Sequence, residues 1–164
     1  MAAVDHFLKI DGIPGESQDS KHKGEIDIET WEFSEANSGS FALGGGGGAG
    51  KVKMDDFTFS KKVDKAGPKL FQACASGEHI KGAVLTSRKA GKDQQEYLKI
   101  TFADSLISNY KIIASTEDGE IVPKEVFKLN FSSMKIEYKE QKSDGTLAGQ
   151  VVGGWDVQKN TAKA

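Results

Sequence analysis

Residues 38–52, with the sequence SGSFALGGGGGAGKV, decide how the rest of the chain is interpreted. They separate two stretches in which apolar and polar residues alternate as they do in β-strands, residues 4–33 and 51–63. A run of five glycines has no side chains, so its backbone can adopt many conformations and another backbone can approach it closely. We therefore predict a long, extended, glycine-rich arm over residues 34–52 of a mainly β protein.

A nucleotide-binding loop is one alternative interpretation of this stretch. Gly45, Gly50 and Lys51 match the first part of the G-x-x-x-x-G-K-[ST] pattern. The next residue is Val52, which has no hydroxyl group for Mg²⁺, and the pattern that follows is typical of a strand. A phosphate-binding loop would have to open a helix. The sequence therefore disfavours nucleotide binding.

A flexible surface linker is the other alternative. Phe41 and Leu43 argue against it, because a linker that faces only water seldom carries large apolar side chains. We expect instead that the arm docks on another subunit. The residues expected to make this contact are Phe41, Leu43, Gly44, Gly45, Gly46, Gly47, Gly48 and Gly50.

The composition predicts one soluble globular domain over residues 1–164, with a polar tail that frays over residues 159–164. The net charge is -2 and the lysines alternate with acidic residues, which argues against a nucleic-acid partner. Cys74 is the only cysteine, so an intrachain disulfide is excluded. No stretch is apolar enough for a signal peptide or a membrane span. Export, if it occurs, would need a dedicated machine.

The strand patterns predict a mainly β fold, either a barrel or a sandwich of short strands. The alternation that begins at Ile26 and Ile28 slips at Thr30, which indicates a β-bulge there and places Trp31 in the core. The predicted core residues of these strands are Trp31, Phe33, Phe57 and Phe59. Later strands are predicted at residues 83–88, 97–102, 106–114, 126–131, 134–138 and 151–157, and the parity slips again at residues 132–133.

One flanking α-helix is predicted within residues 64–77, with its body at about 65–76. Pro68 suits its first turn and Gly77 its C-terminal end. The predicted core side of the helix consists of Leu70, Phe71 and Cys74.

The sequence predicts no catalytic, cofactor or metal site. Cys74 is expected to be an apolar core residue, and His79 follows beyond the end of the helix. Asp55 and Asp56 are adjacent on a strand, so their side chains point to opposite faces. His22 lies between two lysines and is expected to be a solvated side chain.

Several short motifs, in this order, resemble the haemolysin-coregulated protein (Hcp) family. They are FLKI at residues 7–10, GES at 15–17, the stretch 22–31, the glycine run at 44–52, the helix with Pro68 and Cys74, RKAG at 88–91, EYL at 96–98 and LNF at 129–131. The similarity covers nearly the whole chain. One departure is Phe33, where the family often has a second tryptophan.

The resemblance implies a compact β-barrel of two curled antiparallel sheets with one flanking α-helix and a long extended Gly-rich arm. It also implies a structural subunit of the type VI secretion inner tube, without enzymatic activity or a cofactor. Family members form homohexameric rings that stack into a hollow tube like that of a contractile phage tail. The implied partners are the sheath, the tip (spike) protein and effector proteins carried in the lumen, with neither nucleic acid nor membrane among them. The tube would assemble in the cytoplasm and be exported, without a signal peptide, to the extracellular space or a target cell.

Strand parity gives candidates for the lumen. Glu32 should face away from the core and is the first candidate, followed by Asp27 and Glu29. The alternative function is a monomeric β-barrel that binds a small ligand. It requires a hollow interior, whereas the predicted core is rich in large apolar side chains that would fill a small barrel.

Overall fold

The computed structural model describes residues 4–39, 50–89 and 94–163. The strands are β1 (Val4–Ile10), β2 (Ile26–Ile28), β3 (Thr30–Glu32), β4 (Glu35–Ala36), β5 (Lys53–Met54), β6 (Phe57–Lys62), β7 (Ile80–Lys89), β8 (Glu96–Glu117), β9 (Glu120–Gln141), β10 (Leu147–Asp156) and β11 (Thr161–Ala162). The helix α1 spans Gly67–Ser76. The mainly β class, with antiparallel pairing and one helix, is confirmed.

Nine strands form one curled sheet with the path β11-β10-β9-β8-β7-β1-β2, which β6 and β3 join at the side of β9. All of its pairs are antiparallel. Strand β9 pairs with β8 along most of its length, whereas its other side pairs first with β6, at residues 124–129, and then with β10, at residues 133–141. The sheet therefore splits along β9 into two halves. The β6 half contains β3, β6 and the first part of β9, and the β10 half continues through β7 to β2.

Two details of the predicted barrel differ from the structure. The second sheet is only the two-stranded ribbon of β4 and β5, and in the described ranges the ring of strands is not closed by a ladder between β2 and β6. The chain from β2 to β3 bridges this gap, because β2 pairs with β1, β3 pairs with β6, and the Glu29 N–H donates to the Ser60 carbonyl at 2.9 Å. The predicted change of parity is present, because Glu29 and Thr30 are both exposed between Ile28 and Trp31. It lies at a bend where the chain changes its partner from β1 to β6, and not at a bulge within one ladder.

The core fills the space between the two halves. Phe57, Phe59 and Phe127 are fully buried and Phe102 is 1% exposed. Phe57 packs against Phe59 and Phe102, with ring centroids 4.9 and 5.0 Å apart. Trp31 and Phe33 are half-buried and pack on this cluster from the side of β3. Burial of large apolar side chains is the main force that holds the halves together.

Helix α1 begins at Gly67, later than predicted, because the Asp64 side chain forms a turn that accepts the Ala66 N–H at 2.9 Å. It ends as predicted at Gly77, whose φ of 66° is left-handed and favours glycine. Leu70 is fully buried and Cys74 is half-buried. The prediction that Phe71 belongs to the core is wrong, since Phe71 is 62% exposed. Adjacent helical residues point about 100° apart, so Leu70 and Phe71 cannot share the buried stripe.

Two further predictions were wrong. The strands expected at residues 97–102 and 106–114 are one 22-residue strand, and so are those at 126–131 and 134–138. The tail is not frayed throughout, because β11 pairs Thr161 with Asp156 and Ala162 with Trp155. The chain reverses there at Asn160, whose φ of 53° is left-handed. The long strands run through both halves of the sheet, and the paired tail extends the β10 half.

Candidate functional site

The base of the predicted arm is a short β-hairpin. Strands β4 and β5 pair Glu35 with Met54 and Ala36 with Lys53. Beyond them, the Asn37 side-chain amide donates to the Gly50 carbonyl at 2.7 Å, and the Gly50 N–H donates to the Ser38 carbonyl at 3.1 Å. A side chain at position 50 would collide with Ser38, which explains this glycine. The two ends of the arm are thus held together where they leave the body.

The remaining predicted arm contacts lie outside the described residues. They are Phe41, Leu43, Gly44, Gly45, Gly46, Gly47 and Gly48. Their contact with another subunit stays a prediction.

The outward face of the β6 half of the sheet is polar. Glu32 lies beside Thr58, which lies beside Lys128, and the next row contains Thr30, Ser60 and Val126. These side chains stand on the face opposite to Trp31 and Phe59, because strand residues alternate between faces. Acidic and basic groups are mixed on this face. It can therefore remain in contact with water without a covering element.

The three candidate lumen residues are not all brought together. Glu32 is exposed on this polar face. Glu29 lies at the same side of the molecule and accepts from Lys124 Nζ at 3.3 Å. Asp27 belongs to β2 and pairs with Phe7 in the other half of the sheet. Partial burial, reinforced by repulsion from neighbouring carboxylates, raises the pKa of Asp27.

This β6 half ends in two strand edges that carry no further strand in the described ranges. At one end, β3 pairs only with β6. At the other, β8 leaves β7 after Ser105, so residues 106–117 pair only with β9 within the described chain. Helix α1 packs beside part of this segment, where the rings of Phe71 and Tyr110 are 6.1 Å apart. Ile112 and Ile121, near the end of the β8–β9 hairpin, are 57% and 76% exposed. Open edges and exposed apolar side chains are typical of surfaces that bind protein.

Sequence reasoning missed a buried cluster on the outer face of β1. His22 was expected to be solvated, but it is 7% exposed and stacks on Phe7 with ring centroids 4.4 Å apart. Its Nδ1 lies 2.9 Å from a Glu25 oxygen and its Nε2 lies 2.6 Å from a Glu96 oxygen. Arg88 covers the other face of Phe7 at 4.9 Å. These contacts hold the loop at residues 14–25 against the sheet.

Arg88 also binds two carboxylates. Its guanidinium donates to both oxygens of Asp19, at 3.0 and 2.6 Å, and to Asp5 at 3.2 Å. The hydrogen bonds from Arg88 hold the pKa of Asp19 well below its usual range. No local periodicity marks this cluster, because its members are brought together from four separate segments. The acidic residues close to His22 in the sequence were the only local sign of this cluster.

A second missed cluster lies between β6, β9 and α1. Lys61 and Glu125 are fully buried, with Nζ 2.5 Å from the Glu125 carboxylate and 2.7 Å from that of Asp64. Tyr110 donates to the other Glu125 oxygen, and burial is the main reason why the pKa of Tyr110 is raised. A Cβ on Gly67 would lie 3.1 Å from Glu125 Cδ, so this glycine leaves room for the carboxylate.

None of these clusters has the geometry of a catalytic site. Ser87 Oγ lies 2.7 Å from His6 Nδ1, but Ser87 is fully buried, so a substrate cannot reach it. His79 lies at the surface, where its Nε2 is 3.2 Å from Asp104. Within residues 4–39, 50–89 and 94–163, no group of three acidic, His or Cys side chains is placed to hold a metal. Among the same residues, no helix is long and apolar enough to cross a bilayer.

The fold and these surfaces define a class: a β-structured assembly protein that presents open edges and a polar face. A family model described as "Type VI secretion system effector, Hcp" matches residues 7–138. The chain belongs to this Hcp family, and the resemblance read from the sequence is confirmed. Hcp proteins are secreted tube proteins of the type VI secretion system and are structural rather than enzymatic.

Individual relatives agree with this assignment. The protein hcp1 of Pseudomonas aeruginosa is 44% identical over 160 residues, which cover 96% of this chain and 98% of the relative. The crystal structure of Hcp1 from Salmonella typhimurium is 38% identical with a TM-score of 0.79, covering 99% of this chain and 100% of that one. The structure of a type six secretion system protein superposes with a TM-score of 0.91 at 26% identity, covering 98% and 100%.

Proposed function

We propose that this chain is the subunit of the type VI inner tube: six copies close into a ring, and rings stack into a hollow tube. Contraction of the surrounding sheath expels the tube with its tip protein, and effector proteins travel in the lumen. The observation that carries this proposal is the β6 half of the sheet, which combines a polar outward face with an open strand edge at each end.

The two open edges support a ring. A closed ring needs two different patches on each subunit, one of which complements the other. The β3 edge and the β8 edge at residues 106–117 are two such patches, and they lie at opposite ends of the same short sheet. Pairing of the β8 edge of one copy with the β3 edge of the next would cover both. Ile112 and Ile121 would lose water at the same contact, which adds apolar burial.

The polar face supports the assignment of a lumen. When the sheets of six copies join edge to edge, one face of the joined sheet points inward and stays wet. The core face cannot be that face, because it carries the fully buried side chains of Phe57 and Phe59. Glu32 then lines the channel in the same row as Thr58 and Lys128, with Glu29 near the rim. The arm at residues 34–52 has its base, the hairpin of β4 and β5, on the same body, and the proposal assigns its tip to contact with a neighbouring subunit.

The alternative of a monomeric ligand-binding barrel has no specific observation in its favour. It needs an interior space, and the interior is occupied by the buried phenylalanines Phe57, Phe59, Phe102 and Phe127.

Native mass spectrometry and negative-stain electron microscopy test the ring. We expect purified protein at micromolar concentration to give a species of six times the 17.7 kDa chain mass and ring-shaped particles. Only monomers across the micromolar range would defeat the proposal.

Thiol labelling tests the lumen separately. In a Cys74→Ser background, Glu32→Cys in assembled tubes should react with a small maleimide but not with one attached to a bulky polymer. The matched control is Glu78→Cys, just beyond α1, which should react with both. Equal reaction of Glu32→Cys with the two reagents in tubes would remove Glu32 from the lumen.

A further inference from the structure

His6 lies where the two halves of the sheet meet. On β1 it stands between Ile28 of β2 and Ser87 of β7, which belong to the β10 half. Its ring packs edge-on against Trp31 of β3, in the β6 half, with ring centroids 6.1 Å apart. The Trp31 indole N–H donates to His6 Nδ1 at 3.3 Å. This contact attaches the β3 edge to the other half of the sheet.

The donors around His6 determine which ring nitrogen carries the proton. An indole nitrogen can only donate, so Nδ1 must offer its lone pair to Trp31. The Ser87 hydroxyl, 2.7 Å from Nδ1, can donate to the same lone pair. The neutral ring therefore carries its proton on Nε2. Once Nδ1 gains a proton it can still donate to the Ser87 oxygen, but it can no longer accept from Trp31.

The surroundings of His6 favour the neutral ring. The side chains that share its face on β2, β7 and β3 are Ile28, Ser87 and Trp31, all of them uncharged. Asp5 favours the protonated ring, but burial has the larger effect and lowers the pKa of His6. The nearest charged residues on the same four strands are Asp5, Asp27, Glu32, Arg88 and Lys89.

These charged groups point away from the ring. The first four are each adjacent in sequence to a residue of the His6 face, so they stand on the opposite face of the sheet. Asp5 is also bound by Arg88 at 3.2 Å. Lys89 stands two residues beyond Ser87, and its Nζ donates to Gln141 at 2.8 Å. A protonated His6 therefore gains no direct ion pair within the described chain.

Acid must weaken this contact. In the unfolded chain His6 binds a proton with a pKa of about 6.5, which is higher than in the folded protein. The contribution of neutral His6 to stability is therefore complete above that pH. It falls as the pH drops below it, because the unfolded or locally detached state binds the proton more readily.

The position of strand β3 depends on few contacts. The strand is three residues long and pairs with β6 alone in the described chain. Trp31 is its one large apolar residue, and it stacks on Phe57 with ring centroids 5.5 Å apart while its N–H reaches His6. Short segments with few buried contacts are the first to open locally. Loss of the hydrogen bond to His6 therefore acts directly on β3.

We propose that protonation of His6 at Nδ1 releases Trp31 and loosens β3, so that mildly acidic solution weakens the ring contact made by the β3 edge. The inference rests on the proposed function, because β3 is one of the two edges assigned to the ring. The proton comes from water, and the change consists of one N–H bond formed and one hydrogen bond lost. Return to neutral pH reverses it.

The first test measures ring dissociation at pH 7.5 and 5.5 in wild type, His6→Asn and His79→Asn. The asparagine oxygen at position 6 can accept from Trp31 and does not titrate. His79→Asn is the matched control, because it removes a histidine at the surface, 3.2 Å from Asp104. Sedimentation should give a half-dissociation concentration about fivefold higher at pH 5.5 for wild type and His79→Asn, the effect of about one net hydrogen bond. His6→Asn should show no such increase.

Nitrogen-15 NMR of the wild-type side chains provides a second measurement that needs no substitution at His6. At pH 7.5 the His6 ring should carry its proton on Nε2. As the pH falls, the Trp31 indole N–H signal, assigned with Trp155→Phe, should shift with the same midpoint as His6, below about pH 6.5. A shift of the indole signal that follows His6 shows that the two side chains separate on protonation.

The inference is overturned if Nδ1 of His6 carries the proton at pH 7.5, or if the Trp31 signal does not follow the titration of His6. It is also overturned if wild-type rings dissociate equally at the two pH values, or if His6→Asn rings respond to acid as wild-type rings do. Absence of rings in the wild type at pH 7.5 would instead overturn the proposed function, while the NMR titration would still decide whether His6 releases Trp31.

Discussion

The two halves of the sheet hold buried charge in different ways. In the β6 half, Lys61 and Glu125 have no exposed surface. Their charges are satisfied by each other, by Asp64 and Tyr110, and by the Lys62 carbonyl, which accepts from Lys61 Nζ at 2.9 Å. In the β10 half, Arg88 is equally buried, with a side chain 3% exposed, but the side chains of its partners Asp19 and Asp5 are 16% and 43% exposed. The first cluster, called the closed cluster below, has a fully buried central pair and reaches water only at Asp64, whose side chain is 12% exposed. The second, called the open cluster, is open at one side through Asp5.

This difference predicts how much stability is lost when a charged residue of each cluster is substituted. A buried charge that loses its partner cannot be rehydrated, so the free energy of unfolding falls by the full cost of an uncompensated ion. Where a cluster borders water, water and mobile side chains replace part of the lost hydrogen bonds and ion pairs. The closed cluster joins α1 to the half of the sheet that carries the proposed ring contacts. The open cluster holds only a loop.

The largest effect is expected for Lys61→Met. This substitution removes the cation and leaves Glu125 fully buried beside Asp64, so we expect the free energy of unfolding to fall by about 3–5 kcal/mol. Urea denaturation, followed by tryptophan fluorescence, measures the change. The double variant Lys61→Met with Glu125→Leu is the control, because it removes both charges and should recover most of the loss. A single variant as stable as wild type would show that the pair is not closed to water.

A smaller effect is expected for Arg88→Lys. Lysine keeps the charge but cannot donate to both Asp19 oxygens at once, so we expect a loss of about 2 kcal/mol in the same measurement. Lys99→Arg is the matched control at an exposed position of β8, and it should change stability by less than about 0.5 kcal/mol. If Arg88→Lys cost as much as Lys61→Met, the two clusters would not differ in their access to water.

The smallest effect is a pH dependence that belongs to the open cluster. Arg88 lowers the pKa of Asp19 in the folded protein, so the Asp19 carboxylate contributes stability above its unfolded pKa of about 3.9 and loses that contribution as the pH falls below it. The stability difference between wild type and Asp19→Asn should therefore be constant from pH 7 to 5 and shrink towards pH 2.5. Urea midpoints across this range measure it, and a difference that stays constant to pH 2.5 would contradict the assignment.

The sequence predicted the parts of the fold that depend on local pattern. The turn at residues 117–120 is one such part, because Asp-Gly is a typical two-residue hairpin sequence and both Asp118 and Gly119 adopt the positive φ that this turn requires. Gly77 likewise ended the helix where expected. The change of parity near Thr30 was also read from the alternation of apolar residues, but it marks a bend at which the chain leaves β1 for β6 instead of a bulge.

The sequence could not predict features that depend on distant partners. Lys61 reads as a solvated strand residue until Glu125, 64 positions later, is placed beside it. His22 is buried by Phe7 and Glu96, which come from two other strands. A parity slip at residues 132–133 was interpreted as a break, but unbroken pairing with β8 keeps the chain extended there. The arm tip and the surfaces between copies depend on contacts that one sequence does not encode locally.

The two 22-residue strands have a mechanical consequence. Because β8 and β9 run through both halves of the sheet, neither half has a backbone that is independent of the other. Cooperative melting in a single step follows, since the loss of one half removes the strands on which the other is built. A subunit that is pushed from one side transmits the load along continuous backbone hydrogen bonds rather than through a hinge.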